Sequence, residues 1–262
     1  MSDFDRNAVR WGQGAVRGRA EIDQGLRSYM LGVYNNMVMG LAITGLVAYG
    51  VNMFAVTTDP AAAAIPVVGI GHMMLTPLGQ ALYMTPLKWL VMLAPLGFVF
   101  FFSFRLSQMS AATARNTFYL FSAAMGLSLS TVLLIYTGAS VYRAFFETAA
   151  AFGALSLYGY TTKRDLSAMG SFLMMGLFGL IIASVVNLFL HSSAFQFGLS
   201  ILTVLIFAGL TAWDTQAIKD MYYASDDYEV ATKKSVNGAL MLYLDFINIF
   251  QSLLYLTGSR NN

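Results

Sequence analysis

The chain has 262 residues, 57% of them hydrophobic and only 11% charged, against about 25% charged in an ordinary soluble domain. This is a membrane composition, and a net charge of +2 is too small to point to a nucleic-acid partner. With no cysteine, the chain has no disulfide framework, thiol nucleophile or cysteine metal site.

Residues 1–29 hold Arg6, Arg10, Arg17, Arg19 and Arg27 among Asp3, Asp5, Glu21 and Asp23, with no apolar core before the first long hydrophobic segment. That pattern argues against a cleavable secretory signal, and its acids argue against a transit peptide. It is expected to be a mobile cytoplasmic tail, with a short amphipathic interfacial helix as the alternative. Residues 30–260 are then the membrane domain.

A helix needs about 20 mostly apolar residues to cross roughly 30 Å of hydrocarbon, so the gaps between charges define the spans. Arg27 to Asp59 leaves 31 uncharged residues, enough for a first span near 31–55. The segment 56–85 contains Pro60, Pro66 and Pro77 around "GIGHMML" and is too broken for a regular span. It reads as an outer cap, re-entrant in part. Lys88 to Arg105 leaves only 16 residues, which suffice if both cations snorkel, and Pro95 inside that span is expected to kink it. Arg115 to Arg143 leaves 27, with Ser122, Gly126 and Ser130 as a ridge of small residues, read as ordinary close packing. Arg143 to Lys163 leaves 19, interrupted by Glu147, which reads equally as a secondary buried acid or as an i, i+4 surface partner of Arg143. Asp165 to Asp214 leaves 48, two spans near 169–190 and 197–218 that turn at "HSSAFQ". Lys234 to Arg260 leaves 25, interrupted only by Asp245. His72 and His191 fall in outer loops and read as ordinary solvated histidines.

These are seven spans, and the fold class expected is an all-α polytopic bundle. With the N-terminus inside, twelve of the fifteen Lys and Arg fall on the cytoplasmic side, while Lys88, Arg143 and Arg260 fall outside. No lysine lies inside a span, so a retinal Schiff base is excluded.

Asp245 in "LMLYLDFINIFQSLLYL" costs about 2.5–3.5 kcal/mol at mid-helix, yet the surrounding Leu, Ile and Phe return roughly 3–6 kcal/mol on the same scale. The helix therefore inserts with the aspartate but does not need it. On a helical wheel Asp245 lines up with Gly238, Met241, Asn248 and Ser252, a small or polar stripe that should face the bundle interior. Leu244, Ile247 and Leu254 should then face lipid or neighbouring helices. In "TVLIFAGLTAWDTQAIK", Asp214 shares a face with Thr203 and Thr211. It lies about 7 Å along its helix from Lys219, and Asp245 about 16 Å from Lys234. The alternatives are a helix-end polar residue for Asp214, facing water or Lys219, and a packing hydrogen bond for Asp245. Those depths allow a hydrogen-bonded pair. Two such carboxyls cannot both be charged without a cation and would titrate as a unit, acting as a proton switch, a divalent-cation ligand set, or both.

Three stretches in this order, "YGYTTKRDLSAMGSF", "AWDTQAIK" and "LYLDFINIFQSLL", resemble the Bax inhibitor family, its bacterial branch in particular. The resemblance implies a seven-helix bundle with the last helix central, in a bacterial inner membrane. It also implies a pH-sensitive calcium leak in which Asp214 and Asp245 are the family's aspartate pair, calcium meets their oxygens, and Arg105 latches onto them. Some members carry a glutamate in the second helix, where this chain has Ala94 and Pro95. No catalytic set and no cofactor are expected, and the partners expected are the lipid bilayer and calcium. One alternative is a non-transporting regulator whose charged tail binds a membrane quality-control protease. Another is an aspartyl intramembrane protease, which the sequence opposes: Asp245 does not follow a Gly-x-Gly, and no proline follows Pro95.

Overall fold

A computed structural model describes residues 3–59, 61, 63, 65–66 and 73–261. The chain is nearly all helix. α1 (Asp3–Ala55) leads into a small antiparallel sheet of β1 (Val56–Thr57), β2 (Ile65–Pro66) and β3 (Met74–Leu75), with β3 in the middle. Then follow α2 (Pro77–Met84), α3 (Leu87–Arg105), a 3₁₀ turn (Leu106–Gln108), α4 (Ala111–Ile135), α5 (Gly138–Thr161), α6 (Ser167–Leu190), α7 (Ser193–Asp220) and α8 (Tyr228–Thr257).

Short polar residues start most of these rods. Ser110, Thr137, Ser192 and Asp227 cap α4, α5, α7 and α8 by accepting the N–H of the residue three positions on. α6 ends at His191, whose left-handed backbone (φ 49°) sharpens the turn into α7. His191 is exposed; His72 lies outside the described residues.

Among the described residues five helices are long and apolar enough to cross a membrane: Gln24–Ala55 within α1, and α4, α6, α7 and α8. α2 and α3 pass the same test as one span broken by a 64° bend. α5 has 24 residues but carries Arg143 and Glu147 and is not among them.

α1 runs unbroken from Asp3 into the first span. One expectation needs correction. The stretch 56–85 is more regular than a cap: Thr76 accepts the N–H of Gly79, and Pro77 supplies the preset φ of a first helical residue, so α2 forms. The sharp bend comes at Thr85 and Pro86, whereas α3 runs unbroken through Pro95.

α8 packs against α1, α4, α5 and α7, while α6 makes its substantial contacts with α7. Tyr243 of α8 meets the edges of Phe118 and Phe121 of α4 at 5.7 and 5.5 Å between ring centroids. Phe246, one turn on, meets Phe145 and Phe152 of α5 at 5.5 and 5.7 Å. Leu254 and Ile247 are buried as well, against helices rather than lipid. The small-residue ridge of α4 lies on α1: a methyl added at Gly126 would stand 2.6 Å from the Thr44 carbonyl oxygen.

The helices alternate in direction, and their ends are tied. At one end Asn261 donates to the Leu134 and Tyr136 carbonyls and Ser259 accepts the Thr137 N–H, fastening the end of α8 to the α4–α5 turn. The opposite end carries Arg105, Arg115, Lys163, Arg164, Lys219, Lys233 and Lys234 and is called the basic end below.

Candidate functional site

α7 and α8 run antiparallel in close contact. On the buried face of α7, Phe207, Thr211, Asp214, Thr215 and Ile218 recur at helical spacing. Both threonines turn their hydroxyls back into the helix: Thr211 Oγ1 donates to the Phe207 carbonyl and Thr215 Oγ1 to the Thr211 carbonyl, each at 2.7 Å.

The structure places the Asp214 and Asp245 side chains beside one another, with the Thr211 side chain next to Asp245. Only 8% of Asp214 and 3% of Asp245 is exposed, so neither faces water or lipid. A hydrogen bond between two carboxyls needs a proton on one of them. Asp245 Oδ2 is buried, and no ordinary donor hydrogen-bonds to it. An unmade acceptor in a dry interior is costly, and a proton or a cation relieves the cost.

The other candidates lie elsewhere. Lys219 does not reach Asp214: its Nζ donates to the Tyr160 carbonyl at 2.9 Å and lies 5.4 Å from the centroid of the Tyr160 ring. Arg105 is exposed at the C-terminus of α3, and among the described residues no ion pair joins it to either aspartate. Its charge there favours the negative end of the helix dipole. Glu147 is bound by Arg143 Nε at 2.8 Å in an i, i+4 pair whose side chains are 37% and 70% exposed.

For a divalent ion, Asp214 and Asp245 offer two carboxylates. Among the described residues no group of three or more His, Cys, Asp or Glu gathers anywhere. Calcium takes 6–8 oxygens, so most of its shell here would be carbonyls, hydroxyls and water.

Some polar groups around the pair were not singled out in the sequence. Tyr34 of α1, Ser156 of α5 and Thr215 of α7 form a hydroxyl chain with links of 2.6 and 2.9 Å. Thr215 already donates to a carbonyl, so the chain has one direction: Tyr34 donates to Ser156 and Ser156 to Thr215. Thr44 Oγ1 similarly donates to the Gly40 and Ser122 carbonyls, so the Tyr243 hydroxyl, 2.6 Å away, donates to it. The i, i+4 threonines of α7 were visible as a motif. Tyr34 and Ser156 are 122 positions apart, and no local signal pairs them.

A cavity of about 440 Å³ opens at the basic end, lined in part by Trp213, Gln216, Asp220 and Lys234. Neither aspartate borders it.

Comparison with known proteins bears on what this arrangement is for. Residues 26–262 match the family model described as inhibitor of apoptosis-promoting Bax1. An uncharacterized protein of Rickettsia prowazekii is 45% identical over 240 residues, 92% of this chain and 93% of its own. The inner membrane protein YbhL of Escherichia coli K12 is 40% identical over 239 residues, covering 90% and 93%. An uncharacterized membrane protein of Streptococcus pyogenes is 41% identical over 159 residues, covering 58% and 69%.

Proposed function

The chain belongs to the Bax inhibitor family, as an integral multi-pass protein of a bacterial inner membrane, and from that premise we propose that it is a proton-gated cation leak pathway with calcium as its cargo. In this reading all seven long helices span the membrane with the basic end cytoplasmic, α5 included, its Arg143 and Glu147 neutralising one another at the far end. The last helix is the axis of the bundle.

The observation that carries the reading is the burial of Asp214 beside Asp245, whose Oδ2 accepts no hydrogen bond from any other side chain or backbone group. With one proton shared, α7 and α8 are held together across the pathway. Removing that proton leaves two negative charges in contact, and the repulsion is relieved by a divalent cation or by separation of the helices. Arg105, exposed at the end of α3, is the cation available to latch a rearranged pair.

Calcium flux into proteoliposomes, measured across a pH series, tests this. Asp214→Asn with Asp245→Asn keeps the size of both side chains and removes their titration. The expected result is loss of the pH dependence and a fall in flux of about tenfold or more, as expected when carboxylate oxygens leave a cation path. A pH-dependent flux that survives the double substitution overturns the reading. Absence of flux in the unsubstituted protein would instead favour a regulator that binds another membrane protein.

A further inference from the structure

The face of α7 that carries Asp214 continues toward the basic end to Ile218, at i+4 and about 6 Å along the helix, and Tyr222 follows in the turn just past the end of α7 at Asp220. Each of these side chains sits against a glycine of a facing helix. Ile218 is fully buried on α8, where a methyl at Gly238 would stand 2.9 Å from its Cγ2. Tyr222 lies on α1, where a methyl at Gly25 would overlap its hydroxyl. Its ring is tilted against that of Tyr29 with centroids 5.7 Å apart, and Tyr29 is itself buried.

The turn carrying Tyr222 is held from below. Lys234 of α8 donates to the Met221 carbonyl at 3.0 Å and to Asp226 Oδ2 at 2.6 Å, and its ammonium lies 4.7 Å from the Tyr223 ring centroid. Asp227 caps α8 immediately afterwards. The α7–α8 turn is therefore fastened to α8 by a half-buried ion pair and to α1 by an aromatic contact.

We propose that Ile218 and Tyr222 are a two-layer apolar plug that shuts the basic end of the bundle below the aspartate pair. The glycines at 238 and 25 are its seats, and Lys234 with Asp226 is its fastening. An apolar constriction of this kind excludes water and ions while the carboxyls behind it stay dry. The plug rests on the reading of the pair as the switch it protects.

The natural lack of cysteine makes access measurable. In a Thr211→Cys background, a membrane-impermeant cationic methanethiosulfonate is applied to inverted vesicles, and the rate of labelling beside Asp245 is followed. Ile218→Ala with Tyr222→Ala is expected to speed labelling by at least about tenfold, while Ile249→Ala, a core truncation away from the plug, leaves it within about threefold. Equal rates with and without the plug, or equal acceleration by Ile249→Ala, overturn the proposal. Should the double truncation fail to fold, Tyr222→Ala alone is read with Ser235→Cys as reporter; faster labelling supports the plug and an unchanged rate overturns it. Labelling reads access and not ion flow. Faster labelling beside an unaltered, pH-dependent flux in the Asp214→Asn, Asp245→Asn protein therefore keeps the plug and rejects the switch, and the reverse pattern rejects the plug alone.

Discussion

α6 and α8 are both apolar helices of membrane-spanning length, and they are used in opposite ways. In its most apolar window 61% of α8 is buried inside the protein, against 6% for α6. Yet α8 is the one that carries Asp245, Asn248 and Ser252, whereas the interior of α6 has no charged residue at all. A soluble protein hides its most apolar helix. Here lipid takes that role, so the rod without charges is left largely uncovered by protein, while the rod with Asp245 is packed against α1, α4, α5 and α7, where other helices can answer its polar groups.

The sharpest way to break this contrast is to cut large side chains from each helix. Tyr243→Ala removes a fully buried ring lodged between Phe118 and Phe121 together with the bond to Thr44, and should cost about 3–5 kcal/mol. Phe189→Ala, on a side chain of α6 that is 81% exposed, should stay within about 0.5 kcal/mol. Thermal unfolding in detergent measures both, and similar losses would mean that α6 is covered by protein.

A smaller effect sharpens the polar half of the comparison. Ser156→Ala cuts the hydroxyl chain in its middle, leaving Tyr34 without its acceptor and Thr215 without its donor, for an expected loss of about 1–2 kcal/mol. A stability unchanged by this substitution would show that water replaces the chain.

The smallest effect belongs to the start of α6. Hydrogen bonds from the hydroxyl and N–H of Ser167 hold the fully exposed Asp165 carboxyl below the ordinary carboxylate range. Because the folded value is the lower one, the support it lends α6 is present at neutral pH and is lost as pH falls through that depressed value. Asp165→Asn should speed amide exchange in the first turn of α6 at neutral pH, and exchange indifferent to the substitution would dismiss the cap.

How much of this was legible beforehand depends on whether the signal is local. Charge spacing located the long helices, and the small-polar stripe through Gly238, Met241, Asn248 and Ser252 turned Asp245 inward, because both follow from period and from the energy of charge in hydrocarbon. α2 was missed although Thr76 and Pro77 announce it, since three prolines in one stretch were weighed as breakers and one of them is a starter. A 64° bend falls where α2 hands over to α3 at Thr85 and Pro86, and α3 stays helical through Pro95. The Arg105 latch is not formed in this conformation, and the α3 sequence carries no information on how far its end lies from α7.

Composition and charge order by themselves determined that this chain lives in a bilayer, which stretches are helices and which two acids lie deep, since each follows from the cost of moving a residue from water into hydrocarbon. Only the tertiary structure decided that the two aspartate side chains lie beside one another, that Lys219 turns to Tyr160 instead, and that glycines on α1 and α8 seat Tyr222 and Ile218. Those are matters of helix rotation and distance between segments far apart in the chain, and they are set by packing rather than by any local preference.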